Sequence, residues 1–228
     1  MHLPNGSKIF IEASNEREYD FKWLDTTDVG IPNTYVLVLN QAAGVSAFGV
    51  GDIVVITECD NKLIEGNVYS IRSVDGAVSR VRVWPEYRAN DLPVGNYISS
   101  PGKVRRISSW AELPCVQSID KEGNEQNWYT YQCLSSGREE RQKTTKSALF
   151  MSYVMAHDPD NPTYAVMREK EASKRLMAMR MHIPRAKENR YWAGNVSFDD
   201  IPSTTVNEME TVTLRMAIRG AYNFLPSS

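Results

Sequence analysis

Cys133 and His157 are the first side chains to weigh for chemistry, because a thiol beside an imidazole can act as an activated nucleophile. Two residues of these types are expected by chance in a chain of 228 residues. Asp199-Asp200 offers paired carboxylates for acid–base work, yet its place before Ile201-Pro202 suits a solvated turn. The sequence has no Gly-x-Ser-x-Gly, no phosphate-binding glycine loop and no His-Glu-x-x-His. Its cysteines (Cys59, Cys115, Cys133) and histidines (His2, His157, His182) are scattered without a CxxC pair, so no zinc site is expected. The reading assigns no catalytic, cofactor-binding or metal residue. An odd cysteine count, with no signal-peptide anatomy in Met1-His2-Leu3-Pro4-Asn5-Gly6, predicts free thiols in a reducing cytoplasm.

Hydrophobic residues make up 42% and charged residues 24%, the balance of a soluble protein able to bury a core. A net charge of −2 gives no global case for nucleic-acid binding, and no apolar run reaches membrane-spanning length. Charge is unevenly placed: 199–210 holds four acidic residues and no basic one, whereas 174–190 holds six basic residues against one acidic. Such segments are either solvated surface or complementary faces of a self-associating subunit.

The elements that must position these residues are mostly strands. Ser7 to Glu12 alternates Ile9 and Ile11 with Lys8, Phe10 and Glu12 behind an Asn5-Gly6 turn. Asn15 to Pro32 reads as irregular or weakly extended. From Thr34 to about Val104, short strands and turns follow at regular spacing, with Asp75-Gly76 a hairpin signal before Val78 to Trp84. This block predicts a small barrel or sandwich. Its six Lys/Arg against seven Asp/Glu disfavour nucleic acid as a ligand. Cys115 to Ile119 is a possible strand, and Glu122 to Glu125 a turn. The stretch 128–154 reads as two strands, Trp128 to Leu134 and Ala148 to Met155, joined by a long polar loop carrying four basic and two acidic residues. One helix is predicted over Tyr164 to about Lys174. Asn161 caps it, Pro162 takes the first turn, Ala165, Ala172 and Leu176 share a face, and Arg168 to Glu171 stay wet. Met177 to Ile183, Arg190 to Phe198 and Thr211 to Arg219 alternate cleanly as strands, with the methionines read as core.

The pattern Tyr131-Gln132-Cys133-Leu134, then Glu140-Arg141-Gln142, then Thr144-Thr145-Lys146-Ser147-Ala148 resembles tail tube proteins of long, non-contractile-tailed bacteriophages (siphophages). Further pieces lie around it in one consistent order: Pro4 to Ile11 at the start, then Asp158-Pro159 with Tyr164, Ile183-Pro184, and Asn207-Glu208 before a strand. Gly51-Asp52-Ile53-Val54 and Leu63-x-x-Gly66-x-Val68-Tyr69-x-Ile71 resemble the small β module that some of these proteins carry as an insertion. The resemblance implies a mainly β fold: a sandwich-like or barrel-like core (1–33 plus 105–228) with one packed α-helix, and an inserted small β-barrel-like module (34–104).

It also implies a structural virion protein. Six copies would form a ring around a channel, and rings would stack into the tail tube through which DNA is ejected without specific binding. Tape-measure, tail terminator and tail tip proteins would be partners, with assembly in the host cytoplasm and no membrane. By the same resemblance the charged loop reaches a neighbouring subunit. Its candidate contacts are Arg138, Glu139, Glu140, Arg141, Lys143 and Lys146, with Asp199, Asp200 and Glu208 in one possible receiving segment. Arginine suits bidentate contact with such carboxylates. The alternative is a small β-rich hydrolase or ligand-binding protein, which has no need to assemble.

Overall fold

The computed structural model describes residues 6–24, 36–39, 46–60, 62, 64–76, 80–84, 100–134 and 137–226. The chain enters through β1 (Lys8–Glu12), then passes into β2 (Glu18–Leu24), β3 (Val36–Leu39), β4 (Ile53–Cys59), β5 (Val68–Asp75), β6 (Arg80–Trp84) and β7 (Ser100–Ile107). These last six close into a barrel of order β2-β3-β6-β5-β4-β7, sealed where β2 pairs with β7. Closure removes the open edges that short strands would otherwise present. The expected barrel is present, and it draws on Glu18–Leu24, a stretch that reads in sequence as irregular. Tyr19 and Phe21 alternate inward there, but charged neighbours on the wet face mask the period. Of the residues that carried the sequence reading, Pro4, Asn5, Thr34, Leu63 and Val78 lie outside the described residues.

The remaining strands are β8 (Trp110–Glu112), β9 (Val116–Gly123), β10 (Gln126–Gln132), β11 (Glu139–Lys146), β12 (Leu149–Ala156), β13 (Met177–Ile183), β14 (Glu188–Ser203), β15 (Thr211–Ile218) and β16 (Asn223–Pro226). The main sheet runs β8-β1-β13-β14-β15-β12-β9, with β16 against the start of β14. It curls around its own core. Ile9 and Ile11 of β1, the methionines of β13, Trp192 and Phe198 of β14, and Tyr153 and Met155 of β12 meet in one apolar cluster. The inward parities of β13, β14 and β15 are those that the alternation predicts.

The helix α1 (Thr163–Ser173) plugs this core. Asn161 serves its N-terminus, since the Asn161 Oδ1 accepts the Thr163 N–H at 3.0 Å. The buried face is Thr163, Tyr164, Met167 and Lys170, not Ala165, Ala172 and Leu176. Lys170, expected in water, donates to the Ser14 carbonyl at 3.1 Å and to the Asn15 Oδ1 at 2.5 Å. Acceptors on the segment after β1 make a buried cation tolerable, and helical periodicity alone cannot reveal them.

The barrel seats on the outer face of the main sheet. Val55, Val68 and Ile107 pack on Ala178, Tyr191, Ala193 and Leu225. At this joint Arg105 of β7 forks onto Glu12 of β1, with Nε–Oε1 and Nη2–Oε2 both at 2.8 Å, and both side chains are almost wholly buried. Arg105 Nη2 also donates to the Leu176 carbonyl at 2.6 Å, and Glu12 Oε2 accepts the Ala178 N–H at 3.2 Å. A second joint lies beyond β15. Gly220 sits so close to Gly66 that a Cβ there would stand 2.1 Å from the Gly66 oxygen. Buried Asn67 accepts the Ala221 N–H at 2.6 Å.

Removing one member of a buried ion pair leaves an uncompensated charge, at a cost of about 3–5 kcal/mol. Arg105→Met is therefore expected to lower unfolding stability by that order in urea titration. Arg105→Met with Glu12→Leu should recover part of the loss but not all, because the Leu176 carbonyl and Ala178 N–H stay orphaned. Equal stability of Arg105→Met and the unmodified protein would refute this account of the joint.

Candidate functional site

Strands β9 to β12 are one long hairpin in two halves. Inside the sheet β9 pairs with β12, and beyond Gly123 and Ser147 the chain continues as a two-stranded ribbon of β10 and β11. The joint stays hydrogen bonded, since Ser147 N–H donates to the Glu125 carbonyl and Glu125 N–H to the Ser147 hydroxyl, both at 2.9 Å. At about 3.3 Å per residue the ribbon reaches roughly 23 Å past the sheet.

The polar loop expected over 135–146 is thus largely strand: Glu139–Lys146 pairs along β10, while Ser135 and Ser136 lie outside the described residues. Periodicity fails here because both faces are wet. Every residue of β11 is exposed, so no apolar alternation can mark it. An isolated two-stranded ribbon is marginal in water, which makes this one a surface in search of a support.

The register sorts the candidate contact residues. Glu139, Arg141 and Lys143 oppose Gln132, Thr130 and Trp128 on one face, so two cations flank an exposed tryptophan. Glu140 lies on the other face and accepts the Tyr131 hydroxyl at 2.7 Å. That bond raises the Tyr131 pKa, because it favours the protonated phenol. Tyr129 stacks beside Tyr131, ring centroids 6.2 Å apart. Arg138 is exposed at the outer end of the ribbon, and Lys146 at its base. The aromatic residues were legible in sequence as strand formers. Their double-sided exposure was not, and its one signal is the lack of apolar residues at either parity of 139–146.

Asp199 and Asp200, read in sequence as a solvated turn, lie near the end of strand β14 and Glu208 in the connection beyond it, so all three belong to a different projection, the tip of the β14–β15 hairpin. The register there breaks between Asp199 and Ser203. Asp200 is held by Arg168 of α1 at 2.8 Å, and Asp199 Oδ1 accepts the Ile201 N–H at 3.1 Å. Within one subunit the acidic tip is thus tied to the helix, on a hairpin other than the one that bears the ribbon cations.

The residues weighed for catalysis do not converge. Cys133 is exposed at the outer end of the ribbon, and His157 follows the opposite end of β12, so two strand lengths separate them. The His157 ring instead meets the Tyr164 hydroxyl at 3.2 Å, which also accepts the Asp158 N–H. Among the described residues no group of three or more His, Cys, Asp or Glu is arranged to hold a metal ion. No described helix is long and apolar enough to cross a membrane.

What the geometry offers is therefore projections and sheet edges. A protein-family model described as "Phage tail tube protein, TTP" matches residues 89–227, more than half of the chain. The chain belongs to the phage tail tube protein family. No curated protein matches its sequence. As a tail tube protein it is a structural component of the virion tail that assembles with copies of itself into a tube. The matched stretch contains β7 to β16, and so both projections.

If the ribbon is an assembly arm, trypsin should cut the free subunit readily after Arg138, Arg141, Lys143 or Lys146. The same bonds should resist cleavage in assembled material, read by mass spectrometry of the fragments. Unchanged cleavage on assembly would mean that the ribbon stays in solvent.

Proposed function

We propose that six copies of this tail tube protein close into a ring, that rings stack into the tube, and that genomic DNA leaves through its lumen. The observation that carries this reading is the curled main sheet, whose outermost described strands, β8 and β9, each pair on one side within the subunit. Ring closure would join such edges between neighbours and abolish them.

The outer face of the sheet is divided in two. Its β13 and early β14 portion is covered by the barrel. Its β9, β12, β15 and late β14 portion presents mostly small and polar side chains, Ser118, Asp120, Glu122, Ser152, Ser197, Thr211 and Thr213, together with Phe150 and Val154. Arg215 on this face is engaged by Glu122 and lies over the Phe150 ring. Curling of the sheet would turn the two portions away from one another. The polar portion suits the lumen wall, since carboxylates without a free basic patch give the DNA backbone nothing to bind. The barrel, built around the 34–104 module, would then lie on the tube exterior.

The ribbon would reach a neighbouring subunit, where Arg138 and Arg141 meet carboxylates and Trp128 finds cover. Glu139, Glu140, Lys143 and Lys146 would frame that contact, and Asp199, Asp200 and Glu208 would make contacts from the second projection. Tape-measure, terminator and tip proteins are the partners this reading implies at the tube ends, with assembly in the host cytoplasm. None of Cys59, Cys115 and Cys133 is in a disulfide, which fits a reducing compartment. This function needs no chemistry, and Cys133→Ser with His157→Ala should leave it intact.

Electron microscopy of the purified protein tests the reading, with sixfold rings or tubes expected. Arg138→Glu with Arg141→Glu should fold normally by circular dichroism, because exposed charges add little stability, yet assemble more slowly by light scattering. Salt should slow the unmodified protein too. A protein that stays monomeric under all assembly conditions would overturn the tube.

A further inference from the structure

Between the barrel and the main sheet lies a groove of about 650 Å³. Ile53, Ile71, Tyr191 and Leu225 form its apolar walls, Arg72 and Arg180 are its charged members, and no described lining residue is a carboxylate. Arg180 is set for an anion. Its guanidinium lies over the Phe10 ring at 4.3 Å and the Trp110 ring at 5.1 Å, and Tyr191 is its cross-strand neighbour. Its Nε–H is buried and has no hydrogen-bond partner among the described residues. A stacked, poorly hydrated guanidinium with a donor to spare favours a carboxylate brought in with apolar cover.

The tip between β14 and β15 has the matching chemistry. Ile201, Val206 and Met209 are 74%, 85% and 64% exposed, an unusual set of apolar side chains to leave in water. Asp199, Asp200, Glu208 and Glu210 are interleaved with them. Groove and tip stand at opposite ends of one strand. Tyr191 and Ile201 are ten residues apart on β14, about 30 Å in an extended chain, so a subunit cannot fill its own groove with its own tip.

We infer that the groove of one subunit receives the β14–β15 tip of another copy of this chain, with Val206 and Met209 on the apolar wall and Glu208 facing Arg72 and Arg180. The contact is heterologous, a tip at one end and a socket at the other, so it repeats without closing on itself. It rests on the tube reading and adds to it the surface that links successive copies.

The test mixes two proteins, both carrying Cys115→Ser and Cys133→Ser and keeping only the buried native Cys59. One has Val50→Cys at the exposed groove rim, the other Val206→Cys on the tip. Under assembly conditions and mild oxidation, a disulfide-linked heterodimer is expected. In parallel, Val206→Ser with Met209→Ser should stay folded and assemble at least about tenfold more slowly, as for loss of central apolar contacts. Glu208→Lys and Arg72→Glu should each slow assembly, and their combination should restore part of the rate. Tubes from the unmodified protein, with no heterodimer and an unimpaired serine double variant, would overturn the groove contact and leave the tube standing. So would crosslinking of Val206→Cys to Cys133 in a third protein that keeps Cys133, which would seat the tip on the ribbon. If the unmodified protein forms no assembly at all, the tube reading and this inference fall together.

Discussion

The fork of Arg105 onto Glu12 is the constraint on which the rest of the molecule depends. It joins the last barrel strand to the first strand of the main sheet, in a space from which water is excluded. Two buried charges are costly to desolvate, and only near-ideal geometry with further hydrogen bonds offsets the cost. The Leu176 carbonyl, the Ala178 N–H and the Ser14 hydroxyl supply those bonds. A pair of this kind is less a source of net stability than a device that admits one orientation. A barrel rotated on its seat would bury both charges unpaired.

That orientation divides labour over the outer face of the sheet. The barrel occupies one portion and leaves a polar remainder, and a groove opens where its rim meets Tyr191 and Arg180. Gly66 and Gly220 allow the second joint, because side chains there would drive the two backbones apart. The barrel thus shapes surfaces that neither unit has alone. In a protein whose work is association, surface placement takes the part that a catalytic constellation takes in an enzyme.

The two projections share a physical logic. The ribbon and the β14–β15 tip both carry large apolar side chains in the open beside charges: Trp128 and Tyr129 on one, Ile201, Val206 and Met209 on the other. A lone subunit gains nothing from this exposure. It would become favourable in the proposed contacts, where a neighbour removes the apolar area from water and the charges set the register.

The sequence by itself determined the strands whose apolar and polar residues alternate without interruption. Met177 to Ile183, Arg190 to Phe198 and Thr211 to Arg219 alternate because one face meets a core and the other does not, and their parity is readable without coordinates. The family was legible too, in ordered fragments such as Glu140-Arg141-Gln142 and Thr144-Thr145-Lys146. Tertiary structure alone decided the rest. Glu139–Lys146 is a strand through its partner β10, with no apolar period to announce it. Lys170 turns inward because Ser14 and Asn15 wait for it, and Glu18–Leu24 joins the barrel because β7 closes against it. Asp200 pairs with Arg168 across 32 positions in sequence. Each of these depends on a partner distant along the chain. Local periodicity records which side of a strand is dry, whereas the identity of the group across the gap is set only when the chain folds.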